Sequence, residues 1–329
     1  GIGETGQQRL LQSRALVVGC GALGSVIADQ LVRAGVGFVR IVDRDFVETS
    51  NLQRQVLYDE QDVADQLPKA IAAARKLARI NSAVCIEPLV ADVNRHNVLE
   101  LFRDVDIVLD GTDNFETRFL MNDAALETGV PWINGGCVGS HGQVMTILPG
   151  RTACFRCLIP QAPQAGATET CDTAGVIAPA VNVVSSLQVV EALKLLTGQT
   201  EQIGGVLTVI DVWDGTFRRL KLGDLPRQSD CPACQRGERA WLHGEQGSQT
   251  TVLCGRNAVQ LAPADRHALS LEELAARLRP LGTVNANPYL VRFSVAPYEL
   301  TVFQDGRAIV KGTEDAAVAR SLYARYIGN

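Results

Sequence analysis

The segment Ala15-Leu16-Val17-Val18-Gly19-Cys20-Gly21-Ala22-Leu23-Gly24 decides the fold class. A short apolar run ends on glycines spaced G-x-G-x-x-G, and the residues after it suit a helix. Glycines at these positions let a strand turn sharply into a helix whose N-terminus faces a negative group. Phe38 to Val42 reads as a second strand and ends on Asp43, where an acid can grip a ribose. Alone this signal is weak and fits a dinucleotide enzyme equally well. The run that follows, Asp43-Arg44-Asp45-Phe46-Val47-Glu48-Thr49-Ser50-Asn51-Leu52-Gln53-Arg54-Gln55, adds a polar cluster that a nicotinamide enzyme has no use for.

Outward from that segment, strands and helices alternate up to about Asn134. Ser25 to Ala34 is expected to be a helix stopped by Gly35, Pro68 to Ile80 a helix with Lys69 in its first turn, and Cys85 to Leu89 a third strand. His96 to Phe102 reads as helix, Asp106 to Asp110 as strand, Phe115 to Glu127 as helix, and Pro131 to Asn134 as the start of another strand. This order argues for a Rossmann-like, mostly parallel α/β sheet with helices on both faces. Gln143 to Leu148 has no helix between it and its neighbours, so it is expected to pair antiparallel and extend the sheet. Val176 to Leu196 is a long apolar helix, and Val206 to Ile210 and Thr216 to Lys221 are further strands. The pattern gives a nucleotide-binding first domain over residues 1–236, a polar linker over 237–249 and a small α+β domain over 250–329. In the last, Thr250 to Leu261 reads as strand and Ser270 to Leu278 as an amphipathic helix. Tyr289 to Val295 pairs with Leu300 to Val310, which turns at Gln304-Asp305-Gly306, and Thr313 to Tyr326 is a closing helix.

Composition narrows the class. The chain has 329 residues, 46% hydrophobic and 20% charged, with a net charge of −5. That is ordinary for a globular protein with a sizeable core. No basic block stands out, so no nucleic-acid partner is expected. No apolar stretch of about 18 residues or signal-like start is seen, so no membrane partner is expected and the chain reads as cytoplasmic. Nine cysteines, an odd number in a large chain, fit reduced thiols plus a metal site better than a disulfide framework.

Cys154-x-x-Cys157 and Cys231-x-x-Cys234 each offer two thiols at the spacing of a zinc knuckle, and together they make a closed, structural Zn²⁺ site; free thiols or two local disulfides are the plain alternative. Arg54 is a planar fork suited to phosphate oxygens and Lys69 a point charge for the same group; each in isolation would be a solvated surface side chain. Asp113, in Asp110-Gly111-Thr112-Asp113-Asn114 at a strand's C-terminal end, can hold Mg²⁺ between phosphate oxygens. An Asx turn capping the next helix through Asp113 or Asn114 is the alternative, and both can hold at once. Cys171 lies just ahead of the helix from Val176, where a thiol can become nucleophilic or be inert. Cys20, Cys85, Cys137 and Cys254 read as small buried residues. No Ser-His-Asp triad is evident among His96, His141, His243 and His267.

Taken together, Gly19 to Gly24, Asp43, Ser50-Asn51-Leu52-Gln53-Arg54-Gln55, Lys69, Thr112-Asp113-Asn114 and the two cysteine pairs resemble the ThiF/MoeB/HesA family, bacterial relatives of ubiquitin-activating enzymes, over about Gly6 to Cys234. The resemblance implies ATP-dependent adenylation of the C-terminal Gly-Gly carboxylate of a small β-grasp sulfur-carrier or ubiquitin-like protein, with ATP, Mg²⁺ and Zn²⁺ as cofactors. It implies that Gly19, Gly21, Gly24, Asp43, Asp45, Ser50, Asn51, Arg54, Gln55, Lys69, Asp113 and Asn114 line the nucleotide site. Arg54, Lys69 and Asp113 would serve adenylation, and Cys171 a thioester or persulfide with the carrier. It further implies a homodimer and a sulfurtransferase or other thiol partner downstream. Family members usually begin with an Arg-rich segment that reaches the partner subunit's ATP, and this sequence starts just after that point; the expectation is either that the segment has been lost or trimmed, or that phosphate binding is weaker. The region after 237 lies outside the family core and is expected to recognise the carrier or a partner. The competing readings are a nicotinamide-dependent oxidoreductase and a catalytically inactive, zinc-stabilised scaffold.

Overall fold

The computed structural model describes residues 2–162, 175–203, 205–223, 225, 230–246, 250–253, 257–261 and 269–327. Cys171 and Cys254 lie outside the described residues. The chain divides into two compact units, Gly1–Gln246 and Gly247–Asn329.

The first unit is built on an eight-stranded sheet. Its strands are β1 (Arg14–Val18), β2 (Phe38–Asp43), β3 (Cys85–Val90), β4 (Ile107–Asp110), β5 (Trp132–Val138), β6 (His141–Ile147), β7 (Val206–Asp211) and β8 (Thr216–Lys221). They lie in the order β3-β2-β1-β4-β5-β6-β7-β8. β1 to β5 run parallel, and β6, β7 and β8 extend the sheet antiparallel. The apolar runs of β1 and β4 are almost wholly buried, as parallel strands covered on both faces must be. Helices α1 (Gly3–Gln12), α2 (Ala22–Ala34), α3 (Glu60–Ala64), α4 (Lys69–Ile80), α5 (Val98–Leu101), α6 (Phe115–Thr128), α7 (Phe155–Leu158) and α8 (Ala178–Leu196) complete this unit's named helices. Local chemistry sets their ends. Gly35 closes α2 in a left-handed conformation, φ +80°, and the Asn114 side chain accepts the Thr117 N–H to cap α6; both are standard helix-end devices.

Helix α8 is long and apolar enough by length and composition to cross a membrane, which the sequence reading did not expect of any segment. Here it is a core helix, packed on α2, β5 and β6. Gln188, fully buried in its middle, donates to the carbonyls of Asp110 (2.9 Å) and Ile133 (3.1 Å).

The expected linker over 237–249 needs correction, because its first part belongs to the first unit. Trp241 stacks on Phe119 with ring centroids 5.0 Å apart, and the backbone N–H groups of Trp241 and Leu242 donate to Asp123. A polar, Gly-containing composition hid one aromatic anchor.

The second unit carries a six-stranded antiparallel sheet. Its strands are β9 (Thr250–Leu253), β10 (Ala258–Leu261), β11 (Thr283–Ala286), β12 (Leu290–Val295), β13 (Tyr298–Phe303) and β14 (Ala308–Lys311), ordered β11-β12-β13-β14-β10-β9. Helices α9 (Leu271–Leu278) and α10 (Ala316–Tyr326) share a core with it that includes Leu274, Leu278, Phe293, Leu300 and Val310. The single strand expected over 250–261 is two paired strands. The turn expected at Gln304-Asp305-Gly306 is present and separates β13 from β14. Strand β11 was not anticipated: it is only four residues long, Thr283-Val284-Asn285-Ala286, and mostly exposed, too short a run to stand out in the sequence. Asp315 caps α10 rather than lying inside it.

Candidate functional site

Chain order reverses between β1 and β4, and their C-terminal ends form the crevice where open α/β sheets bind ligands. Backbone approaches unusually closely there. Gly19 adopts φ +81°, and a Cβ on it would lie 2.7 Å from the Gly111 carbonyl oxygen. A Cβ on Gly24 would sit 1.8 Å from the Gly19 oxygen. The turn after β1 and the turn after β4 are therefore pressed together, and no side chain fits between them.

Asp43, at the end of β2, is buried and braces this turn. Its Oδ2 accepts the Cys20 N–H at 2.6 Å and its Oδ1 accepts the Asp45 N–H at 2.7 Å. Burial pushes its carboxyl above the usual carboxylate range, against the pull of Lys69. Cys20 is buried beside it, and burial raises its thiol to about 12, so it is no nucleophile. Tyr58 donates its hydroxyl to the Cys20 carbonyl at 2.6 Å and lies 3.2 Å from that of Lys69. One phenol thus joins the Gly-rich turn to the start of α4.

Lys69 is almost wholly buried. Its backbone N–H donates to the Asp45 carbonyl at 2.9 Å and its Nζ lies 3.4 Å from Asp45 Oδ2. The polar run after β2 folds into a short turn, Thr49–Asn51, in which Glu48 and Asn51 cap each other. Arg54 donates to the Ser50 carbonyl at 2.9 Å. Gln55 is buried, and its amide nitrogen would lie 3.8 Å from a Cβ on Gly21. Its Oε1 has no hydrogen-bond partner among the described residues, an orphaned buried acceptor at the mouth of the turn.

On the other side of the crevice, Asp110 is fully buried at the end of β4. It accepts the Thr112 N–H and hydroxyl at 2.8 and 2.6 Å, the Asn134 amide at 2.7 Å and Arg118 Nε at 3.0 Å. Arg118 also donates to the Thr112 and Gly135 carbonyls. This scaffold presents Asp113 exposed at the loop's tip, while Asn114 is spent on capping α6.

The structure thus gathers Gly19, Gly21, Gly24, Asp43, Asp45, Gln55 and Lys69 around one turn. Ser50, Asn51 and Arg54 lie on the adjoining turn, and Asp113 stands on the loop after β4. Residues passed over in the sequence are equally involved: Arg44, Tyr58, Asp92, Asp110, Arg118 and Gln188. Arg44 donates to Asp92 at 3.0 Å. Burial works against its charge, but Asp92, Asp45 and Asp113 outweigh this and hold it firmly protonated. The Asp43-Arg44-Asp45 alternation was the available signal for Arg44; Tyr58, Asp92 and Gln188 each meet a partner tens of residues away.

A second centre lies in the same unit. Cys154, Cys157, Cys231 and Cys234 bring their sulfurs within 4.8 Å of one another. Neighbouring Sγ–Sγ distances are 3.4, 3.6 and 3.8 Å. Four thiolates bound to zinc at about 2.3 Å stand about 3.8 Å apart, so the donor set fits Zn²⁺. The aromatic stack Trp241–Phe119–Phe155 packs beside this cluster.

Comparison with known proteins places this geometry. The chain is 47% identical over 328 residues to the sulfur carrier protein ThiS adenylyltransferase of Bacillus subtilis (strain 168), covering 99% of this chain and 96% of that protein. It is 41% identical over 236 residues to the SAMP-activating enzyme E1 of Haloferax volcanii, covering 72% and 85%. A crystal structure of E. coli MccB with MccA-N7isoASN shares the fold, with a TM-score of 0.60 and 22% identity over 67% of each chain. The ThiF family model matches residues 1–233, and the chain belongs to the ThiF family.

Proposed function

We propose that this chain is an adenylyltransferase that activates the C-terminal carboxylate of a small sulfur-carrier or ubiquitin-like protein with ATP. The observation that carries the reading is the convergence of Asp43, Gln55 and Lys69 on the Gly19 to Gly24 turn, with the Asp113 loop packed against it. Its near-full-length likeness to an adenylyltransferase of a sulfur carrier supports the substrate class.

In the reaction a carboxylate oxygen of the carrier attacks the α-phosphorus, the bond to the bridging oxygen breaks, and pyrophosphate leaves with the electron pair. The nucleophile is already ionised, so the site needs no general base; its task is positioning and charge stabilisation. Asp43 receives the ribose hydroxyls through the acceptor capacity left on its oxygens, and the Gln55 carbonyl, orphaned in its pocket, gains a donor. Arg54 and Lys69 offset the phosphate charge, and the backbone N–H groups at the start of α2 face the same anion. Gly19, Gly21, Gly24, Asp45, Ser50, Asn51 and Asn114 shape the walls. Asp113 would hold Mg²⁺, which would supply positive charge to offset the phosphates and the leaving group. Zn²⁺ held by the four cysteines is structural, since all four ligand positions are filled by protein.

Cys171 would attack the carrier's acyl-adenylate to form a thioester with AMP leaving, or, where a sulfurtransferase has first delivered a sulfane sulfur to it, attack through that outer sulfur to form an acyl persulfide, again with AMP leaving. The enzyme works as a homodimer in the cytoplasm, for which the exposed Val183 and Val190 on α8 offer an apolar surface. The second unit recognises the carrier or a partner; deleting residues 247–329 should weaken carrier affinity. A nicotinamide-dependent reading leaves Arg54, Lys69 and Asp113 without a task.

ATP–pyrophosphate exchange that requires a Gly-Gly-tailed carrier tests the reading, and no exchange with any such carrier would end it. Mass spectrometry of enzyme, ATP and carrier should reveal the acyl-adenylate and a Cys171 adduct. Cys171→Ala should keep the first and lose the second.

A further inference from the structure

Asp45 stands between two cations. Lys69 Nζ lies 3.4 Å from its Oδ2, and Arg44 Nε lies 3.9 Å from its Oδ1. The two cations are held differently. Arg44 is fastened on its far side to Asp92, in the segment after β3, at 3.0 Å. Lys69 extends from the first position of α4 on a flexible stem. An anchored guanidinium stays in place, whereas an ammonium on a four-carbon stem can swing to a new anion.

We propose that Arg44 is a positioning residue for the nucleotide site, keeping Asp45 compensated when Lys69 turns from it to the phosphates. This rests on the reading of Lys69 as a phosphate ligand. Lys69 and Asp45 are both largely shielded from water, and separating a buried ion pair leaves a costly uncompensated charge. A second cation already beside Asp45 lowers that cost, because the carboxylate keeps a counter-ion after Lys69 moves. Arg44 stays charged at any working pH. Without it, Asp45 would hold Lys69 more tightly and ATP would compete poorly for the ammonium.

The experiment is carrier-dependent ATP–pyrophosphate exchange with the full chain, separating KM for ATP from kcat and checking folding by thermal melting. Arg44→Met should raise KM by about tenfold, within the range of coupling between contacting charges, with kcat little changed. Adding Asp45→Asn should restore most of the affinity, because the restraint on Lys69 is then gone; a merely structural role for Arg44 would not be rescued this way. If Arg44→Met does not fold, Asp92→Asn, which unfastens Arg44, should raise KM in the same direction and be rescued by the same second substitution. An unchanged KM, or no rescue in a folded double variant, would overturn the proposal. Lys69→Met is the control. If it leaves KM unchanged, the phosphate reading of Lys69 falls and this proposal with it; if it raises KM while Arg44→Met does not, only the Arg44 proposal falls.

Discussion

Asp43 and Cys20 are joined by a 2.6 Å hydrogen bond from the Cys20 N–H to the Asp43 carboxylate, so the acid proposed to take the ribose also fixes the Gly-rich turn. Its other oxygen accepts the Asp45 N–H. An amide at this position presents its NH₂ to one of these two donors and leaves it unsatisfied, at a cost of about 1–3 kcal/mol. Asp43→Asn should therefore lose both thermal stability and ATP affinity. Calorimetry and ATP titration of the same preparation check this, and loss of affinity at full stability would show that Asp43 acts on the nucleotide alone.

Asp113 makes the opposite case. It is exposed at a loop tip whose shape is set by Asp110 and Arg118. Asp113→Ala should melt within about 0.5 kcal/mol of the parent, as surface changes do, yet lose exchange activity by about 100-fold or more, the scale of removing one charge-stabilising group. Retained exchange across a Mg²⁺ titration would refute the magnesium assignment.

Zinc analysis should find about one metal per chain, from the donor count of a closed four-thiolate site. Chelation or Cys231→Ser should expose Trp241, which packs through Phe119 and Phe155 beside the cysteine cluster. Its emission should shift to the red in a Trp213→Phe background, which removes the most exposed tryptophan. Structural zinc binding reaches about 10 kcal/mol in small zinc-binding peptides, so a large fall in Tm should accompany the shift. An unmoved spectrum after verified metal loss would separate the cluster from the stack.

Asp59 tests a pH dependence. It caps α3, and its hydrogen bond to Lys76 holds its carboxyl below the ordinary 3.8. A depressed folded-state value adds stability above the unfolded-state pKa and loses it as pH falls through the folded-state value. Asp59→Ala should thus cost about 1 kcal/mol at neutral pH, as N-caps commonly do, and the gap to the parent should close in acid. Melting curves of both proteins from pH 7 down to about pH 3 decide it, and a constant gap would count against the ionised cap.

Local patterning made much of the architecture readable. The Gly-rich turn, the apolar runs of β1 and β4 and the paired C-x-x-C spacings are short-range signals, and the structure brings all four cysteines together. What stayed hidden depends on partners distant in sequence. Arg44 finds Asp92, Arg118 finds Gly135, and Trp241 finds Phe119, and no periodicity marks such pairs. The split of residues 250–261 into two strands and the whole of β11 were missed because a run of strand-forming residues does not declare where it turns or which edge is exposed. Cys171 and the region around it lie outside the described residues.

Gln188 has a consequence in time. Its amide ties the carbonyls of Asp110 and Ile133 across sequence separations of 78 and 55 residues. Contacts this remote form slowly, because a long loop must close before they reward the chain. During synthesis the turn after β1 and the loop after β4 emerge well before α8, so the crevice between them waits for a helix made later to lock the spacing of β4 and β5. A nascent chain halted before α8 therefore lacks the amide that ties β4 and β5 together.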